Sequence, residues 1–277
     1  MEAPLSLTLC DVLATDFVKD DVKKNYAALL PYVSITIVEA GPALLGPFDK
    51  ALQDYARGLF QKRDIDVRLG TAVIGIETFE GENYRFPGQR AMLSNGESLE
   101  YGTMVWSAGL APRRFTEALD EHEIARHPRT KRILVDDYLR VPGKEGSIWA
   151  LGDAAINAEG IPMPQLAQVA RQQGIYLAKV LNGKQKDDAE PFSFFSLGSM
   201  AFMGDLKGIY DGSSAGPLRD PSVSSSALTR FPALKGFLAL MLWRFAYWGR
   251  QTSIANKIMI PVHWAKTYFF GRDISRY

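Results

Sequence analysis

The run Val33-Ser34-Ile35-Thr36-Ile37-Val38-Glu39 is β-branched, mostly apolar and closed by an acid, and the first glycine of the chain, Gly41, comes only after it. Such a run reads as a strand buried on both faces, as in parallel sheets. Parallel neighbours need a crossover, usually a helix. Phe48 to Arg63 supplies a helical stretch, and Asp66-Val67-Arg68-Leu69, closed by Gly70, supplies the next short strand. This order sets the class as α/β. None of the 24 glycines stands in a Gly-x-Gly arrangement. The glycine-rich turn that brings backbone N–H groups to a pyrophosphate is therefore not written in this sequence.

Glu39 is the first candidate binding residue. An acid ending the second strand of a dinucleotide-binding unit accepts the ribose hydroxyls of NAD, and its charge repels the 2′-phosphate of NADP. A solvated charge at a sheet edge is the other reading these residues allow. Residues 5–30, ahead of the strand, read as a helix with a break near Thr15-Asp16, in the position of a crossover helix.

Further along, Ala72 to Phe79 and Arg90 to Leu93 alternate like antiparallel strands, and Asn95-Gly96 predicts a hairpin turn with positive φ at both central residues. Thr103 to Ala108 reads as a buried strand ending at Gly109, and Ser147 to Leu151 as another, ending in Gly152-Asp153. Pro164 predicts the first position of a helix running to about Leu181. Phe194 to Phe202 and Lys207 to Tyr210 read as strands, residues 211–229 as a Ser/Gly/Pro-rich loop, and the remainder as helical.

Composition narrows the chemistry. The 277 residues are 47 % hydrophobic and 23 % charged, a balance that suits a folded protein. A net charge of +1 gives no overall basic field for nucleic acid. One cysteine, Cys10, excludes an internal disulfide, a redox cysteine pair and a Cys-based zinc site, and three histidines leave little room for a His-rich one; no metal site is expected. The first 22 residues carry Glu2, Asp11, Asp16, Asp20 and Asp21 against Lys19, so no import signal is legible there.

Charge is concentrated at the end. Residues 230–277 hold eight basic residues against one acid, Asp273, together with 11 of the 31 aromatic residues. No run reaches the ~18 apolar residues of a membrane-spanning helix. A basic, aromatic-rich end on an acidic body suits a membrane-surface anchor. A helical pair packed on its own core, with a solvated basic rim, fits the same composition.

Three features carry the cofactor argument. A strand ending in Gly152-Asp153 and followed by a helix recurs in two-dinucleotide flavoproteins, where the Asp accepts a hydrogen bond from a ribityl hydroxyl. Read alone, Asp153 is equally a helix cap. Trp106-Ser107-Ala108-Gly109 fits a strand crossing back from a nucleotide domain, its small residues admitting a cofactor. Gln165, Gln168 and Gln172 share one face at helical spacing, with Arg171 nearby. They are either solvated or turned to a quinone carbonyl or flavin edge.

Taken in order, these segments resemble the type II NADH dehydrogenases, single-chain non-electrogenic NADH:quinone oxidoreductases of the pyridine nucleotide-disulfide oxidoreductase superfamily. The carriers are Asp16 to Lys24, Val38-Glu39-Ala40, Tyr101 to Gly109, Trp149 to Ala155, Pro164 to Gln172, Leu197 to Gly204 and Leu242 to Trp248. The resemblance covers the back part of such enzymes. It implies a truncated two-dinucleotide-binding-domain flavoprotein fold with a C-terminal helical membrane-anchoring region. It divides the chain into residues 1–108 (an NADH-binding domain lacking its first strand and glycine loop), 109–190 (the C-terminal part of an FAD-binding domain) and 191–277 (a strand pair, loop and amphipathic anchoring helices).

The resemblance further implies FAD as cofactor and NADH as substrate. Hydride passes from NADH to the flavin, which then reduces a ubiquinone-type quinone of the respiratory chain. The flavin carries the chemistry, so no catalytic side chain is expected. Glu39 would meet the NADH ribose, and Ala108, Gly109, Gly152 and Asp153 the FAD. Gln165, Gln168, Arg171 and Gln172 would face quinone, and Trp243, Arg244, Trp248, Trp264 and Lys266 the membrane. A homodimer, peripheral on the mitochondrial inner membrane, is the implied assembly. Pro261 departs from the family pattern and puts the straightness of the last helix in question. Rival expectations are a non-catalytic membrane-associated remnant, one piece of a split enzyme, or another flavin-dependent NAD(P)H reductase of this fold.

Overall fold

The computed structural model describes residues 22–23, 26–80, 87–119, 124–144, 146–158, 163–183, 190–204, 206–213, 215–217 and 233–270. The chain divides into two compact units, and residues 191–277 contribute to both. One unit takes in residues 3–107, 200–211 and 232–277; the other is built on residues 108–199 and 212–231.

In the first unit a βαβ turn forms where the sequence expects it. Strand β1 (Ile35–Glu39) runs parallel to β2 (Ile65–Leu69), with Ile35 opposite Ile65 and Glu39 opposite Leu69. Helix α1 (Lys50–Gln61) crosses between them. Asp49 caps it, its carboxylate accepting the Ala51 N–H at 2.8 Å, as a helix N-terminus requires. Leu52, Ala56, Leu59 and Phe60 form its buried face. They pack with Ile37, Leu45 and Phe48, and also with Ala201, Met203 and Ile209 from much later in the chain.

An antiparallel sheet of β3 (Val73–Phe79), β4 (Gly88–Leu93) and β5 (Ser98–Tyr101) follows in the order β3-β4-β5. Its β4–β5 turn differs from the expected one. Gly96 has φ +85°, but Asn95 is not in the left-handed region. The loop is longer than a two-residue turn: Gly96 N–H donates to Leu93 O at 3.0 Å and Leu93 N–H to Glu97 O at 2.9 Å. Asn95 instead uses its side chain, whose Oδ1 accepts the Glu97 N–H at 3.1 Å.

The expected strand Thr103–Ala108 is not one. Residues 103–110 lie outside any strand, and Trp106 is 61 % exposed. A run apolar on both faces becomes a buried strand only where packed layers cover both faces, and here Val105 and Trp106 are exposed.

The same unit contains β9 (Ser199–Phe202, with Ser199 at its boundary), β10 (Gly208–Asp211) and β12 (Leu234–Gly236), in the order β12-β10-β9. Helix α4 (Phe237–Gly249) leaves β12 at Gly236, φ +80°, and buries Ala239 and Leu240 completely. It lies so close to β10 that a Cβ on Gly208 would stand 2.9 Å from the Leu240 nitrogen. Helix α5 (Ile254–Phe270) holds Pro261 inside a single helical span and buries none of its residues.

In the second unit β6 (Ile133–Val135) pairs parallel with β7 (Ala155–Asn157), Ile133 opposite Ala155. Helix α2 (Arg114–Ala118) is a short turn near its start. Ser147–Leu151 makes only a bridge: Val141 N–H donates to Ile148 O at 3.0 Å and Ala150 N–H to Leu139 O at 3.1 Å. Gly152, φ +64°, then turns the chain into a 3-10 turn over Gly152–Ala154, so the ladder begins after Gly-Asp rather than before it.

Helix α3 spans Ala167–Leu181, starting three residues later than Pro164 because Leu166 is still extended (φ −136°, ψ 142°). The expected strand Phe194–Phe202 breaks at Gly198, φ +82°, giving β8 (Phe195–Ser196), paired with β11 (Gly216–Pro217), and the separate β9. Most of the helix expected over 5–30 lies outside the described residues, which hold a 3-10 turn at Ala27–Tyr32. The loop 211–229 lies mostly outside them as well, but its start contains β11.

Candidate functional site

Glu39 closes β1 in the first unit and is held there by its own loop. Its Oε1 accepts the Gly41 N–H at 2.7 Å. The loop is tied to the end of β2: Thr71 N–H donates to Glu39 O at 3.1 Å, and Gly70 N–H to Gly41 O at 2.9 Å. A carboxylate at the C-terminal end of a parallel strand is placed where such sheets bind ligands.

The other nucleotide-facing candidates lie in the second unit. Ala108 and Gly109 are exposed, with Gly109 at φ +76°. Gly152 and Asp153 form the 3-10 turn against α3, where a Cβ on Gly152 would stand 3.2 Å from the Ala170 Cβ. That closeness and the positive φ both demand glycine. Asp153 is exposed; its backbone carbonyl, not its carboxylate, accepts the Gln165 amide at 3.2 Å. An exposed carboxylate beside a glycine-only turn fits a flavin's hydroxylated chain. No glycine phosphate loop accompanies it in this sequence.

The glutamine stripe is arranged differently from expectation. Gln165 stands outside α3, so three glutamines do not share one helical face. Gln168 and Gln172 do, and their amides are bonded to backbone. Gln172 Nε2 donates to Phe195 O at 2.8 Å while its Oε1 accepts the Phe195 N–H at 3.1 Å. Gln168 Nε2 donates to Gly198 O at 3.0 Å while its Oε1 accepts the Leu197 N–H at 3.1 Å. One helical turn matches two residues of extended chain, so the two amides border β8 as a strand would, opposite β11. Arg171 remains exposed between them in sequence.

Two residues escaped the sequence reading. Gln173, 5 % exposed, accepts the Gly152 N–H at 2.7 Å and so pins the Gly-Asp turn to α3. Gln173 adjoins the stripe in sequence but points inward, and only burial distinguishes it. Arg132 immediately precedes β6, whose first residue Ile133 pairs with Ala155, two residues after Asp153. Burial pulls its guanidinium below the usual arginine range, and the Asp153 charge opposes that shift.

The tail candidates lie on α4 and α5 in the first unit. Arg244 sits with its guanidinium 5.0 Å from the Trp264 ring centroid, and burial lowers its pKa. Trp248 Nε1 donates to Lys257 O at 2.8 Å across the turn between the helices. Trp243 stacks with Phe202 and meets Tyr247, while Lys266 is exposed. Phe245, Ile254, Val262 and Phe269 are exposed apolar residues. No helix among the described residues is long and apolar enough to cross a membrane, and none of their His, Cys, Asp and Glu side chains form a metal-holding group of three.

Comparison with known proteins adds sequence relatives to this geometry. The family model for pyridine nucleotide-disulphide oxidoreductases matches residues 21–174, and that for the NDH2 C-terminal domain matches residues 196–273. An internal alternative NAD(P)H-ubiquinone oxidoreductase A1, mitochondrial, of Solanum tuberosum is 33 % identical over 95 % of this chain and 50 % of its own length. The external NADH-ubiquinone oxidoreductase 2, mitochondrial, of Saccharomyces cerevisiae is 30 % identical over 94 % of this chain and 49 % of its own. The chain thus spans about half the length of the curated relatives it matches. Among solved structures, NDH2 from Plasmodium falciparum in complex with NADH superposes with a TM-score of 0.76 at 19 % identity, over 99 % of this chain and 66 % of that one.

Proposed function

The chain belongs to the pyridine nucleotide-disulphide oxidoreductase family, in its type II NADH dehydrogenase branch, and from that premise we propose that it serves in FAD-dependent, non-electrogenic NADH:quinone oxidoreduction. The observation that carries this reading is the succession of the two family models along one chain: a nucleotide-binding flavoprotein portion, then a domain named for NDH2. The mitochondrial ubiquinone oxidoreductases among the relatives support ubiquinone as acceptor and the mitochondrion as the compartment.

When bound, the flavin supplies the acceptance of a hydride and its delivery onward to quinone. This chain's residues bind and orient. Glu39 accepts the ribose hydroxyls of NADH. Asp153, on a turn held by Gln173, would accept a hydrogen bond from a ribityl hydroxyl, and Gly152, Ala108 and Gly109 would let the cofactor come close. On the quinone side, Arg171 and Gln165 meet the ring, while Gln168 and Gln172 hold the neighbouring strand. Trp243, Arg244, Trp248, Trp264 and Lys266 lay the tail on the inner-membrane surface as a peripheral contact, and the same helices pair two copies.

Flavin content and turnover test this reading together. In a polypeptide of the relatives' full length containing this sequence, bound FAD and NADH-dependent reduction of a short-chain ubiquinone are expected. This chain alone, with no Gly-x-Gly arrangement, should copurify with little flavin. Loss of quinone reduction in the flavin-loaded longer protein would overturn the assignment.

A further inference from the structure

The carboxylate of Glu39 is held by its own loop. Three backbone donors set the geometry. Thr71 N–H holds the Glu39 carbonyl at 3.1 Å, Gly70 N–H holds the Gly41 carbonyl at 2.9 Å, and Gly41 N–H holds Glu39 Oε1 at 2.7 Å. Thr71 is buried, and its hydroxyl donates to Leu69 O at 3.1 Å, so the staple itself is anchored in the end of β2. A Cβ added at Gly41 would stand 3.1 Å from the same Oε1, tighter than an ordinary contact.

A glutamate side chain has three rotatable bonds. Left alone, it swings toward solvent when an anion approaches, and it discriminates weakly between a diol and a phosphate. Bound by a backbone N–H through a charge-assisted bond, it keeps its charge in place.

We propose that Gly41 is a specificity-determining positioning residue, whose N–H fixes one carboxylate oxygen of Glu39 so that the other meets the ribose diol and the charge stays where a 2′-phosphate would lie. This rests on the reading that Glu39 meets the ribose of NADH. Glycine serves here because it gives the N–H without a Cβ against the carboxylate. Gly41→Ala keeps the donor and crowds the oxygen, Gly41→Pro removes the donor, and Glu39→Gln keeps an acceptor for Gly41 while removing the charge.

The experiment is a ligand-observed NMR titration of NADH and NADPH against the full chain, which reads millimolar affinities, with thermal melts of each variant alongside. The unmodified chain should favour NADH. Glu39→Gln should remove most of that preference, and each Gly41 variant should narrow it by roughly tenfold or more, as expected for losing one hydrogen bond to a charged group. If Glu39→Gln narrows the preference while Gly41→Ala and Gly41→Pro keep it, Gly41 does not position the carboxylate and the ribose reading stands. If the Gly41 variants weaken both nucleotides equally, the glycine is merely structural and the proposal falls. An unchanged preference in Glu39→Gln, or no binding of either nucleotide, overturns the ribose reading and this proposal with it. Should Gly41→Pro fail to fold, Gly41→Ala decides.

Discussion

At the scale of single residues, the second unit depends on Gln173. Its side chain is buried, and its Oε1 is the acceptor for the Gly152 N–H at a glycine-only turn. Replacing it with Leu leaves that N–H without its partner, at a cost of about 1–3 kcal/mol. A fall in Tm with faster hydrogen exchange at Gly152 is the expected result for Gln173→Leu; an unchanged Tm would show that another acceptor takes over. Glu39 and Asp153 were legible as candidates because an acid closing a β-branched run and a Gly-Asp pair are local patterns. Gln173 was not, since its role is set by the packing of α3 on a turn 21 residues earlier.

At the scale of elements, β8 is held on one side by β11 and on the other by two side chains. Gln168 and Gln172 each exchange two hydrogen bonds with its backbone or the residues just after it. Each net bond is worth about 0.5–1.5 kcal/mol. The double variant Gln168→Ala/Gln172→Ala should therefore lose stability by a few kcal/mol, with hydrogen-exchange protection falling first at Phe195 and Leu197. Protection that stays intact there would mean that β11 alone holds the strand.

The periodicities of β1, α1 and β2 were readable because apolar spacing and burial coincide within a few residues. Thr103–Ala108 and Ser147–Leu151 misled for one reason. An apolar run records what a strand is built to lie against, and the layers that cover it are a property of the surroundings. The glutamine stripe misled in another way: helical spacing predicted a shared face for Gln168 and Gln172 correctly, but not that a strand's backbone would occupy it.

At the scale of the whole molecule, the tail is two different things. Leu240 on α4 is fully buried, which is worth about 1.5–3 kcal/mol for such a side chain, whereas α5 buries no residue at all. Deleting residues 230–277 would therefore strip β12 and part of a core along with any anchor. Removing 254–277 is the cleaner cut, because among the described residues it takes nothing buried. With up to about 1 kcal/mol per basic residue near an anionic surface, and apolar insertion from Val262 and Phe269 added, the full chain should sediment with anionic vesicles at moderate salt. The 1–253 form should remain folded and sediment much less. Equal sedimentation of both would remove α5 from the proposed membrane contact.

Asp211, at the end of β10, is almost wholly buried, and its Oδ2 accepts the Asp49 N–H at 2.6 Å at the very start of α1. Two strand positions of β10 thus face opposite duties, Gly208 seating α4 and Asp211 gripping the cap of α1. α4, β10 and the first turn of α1 are joined by direct contacts. The seat of the tail helix and the start of α1 thus share one four-residue strand, so a substitution at Gly208 that unseats α4 should also loosen the cap at Asp49.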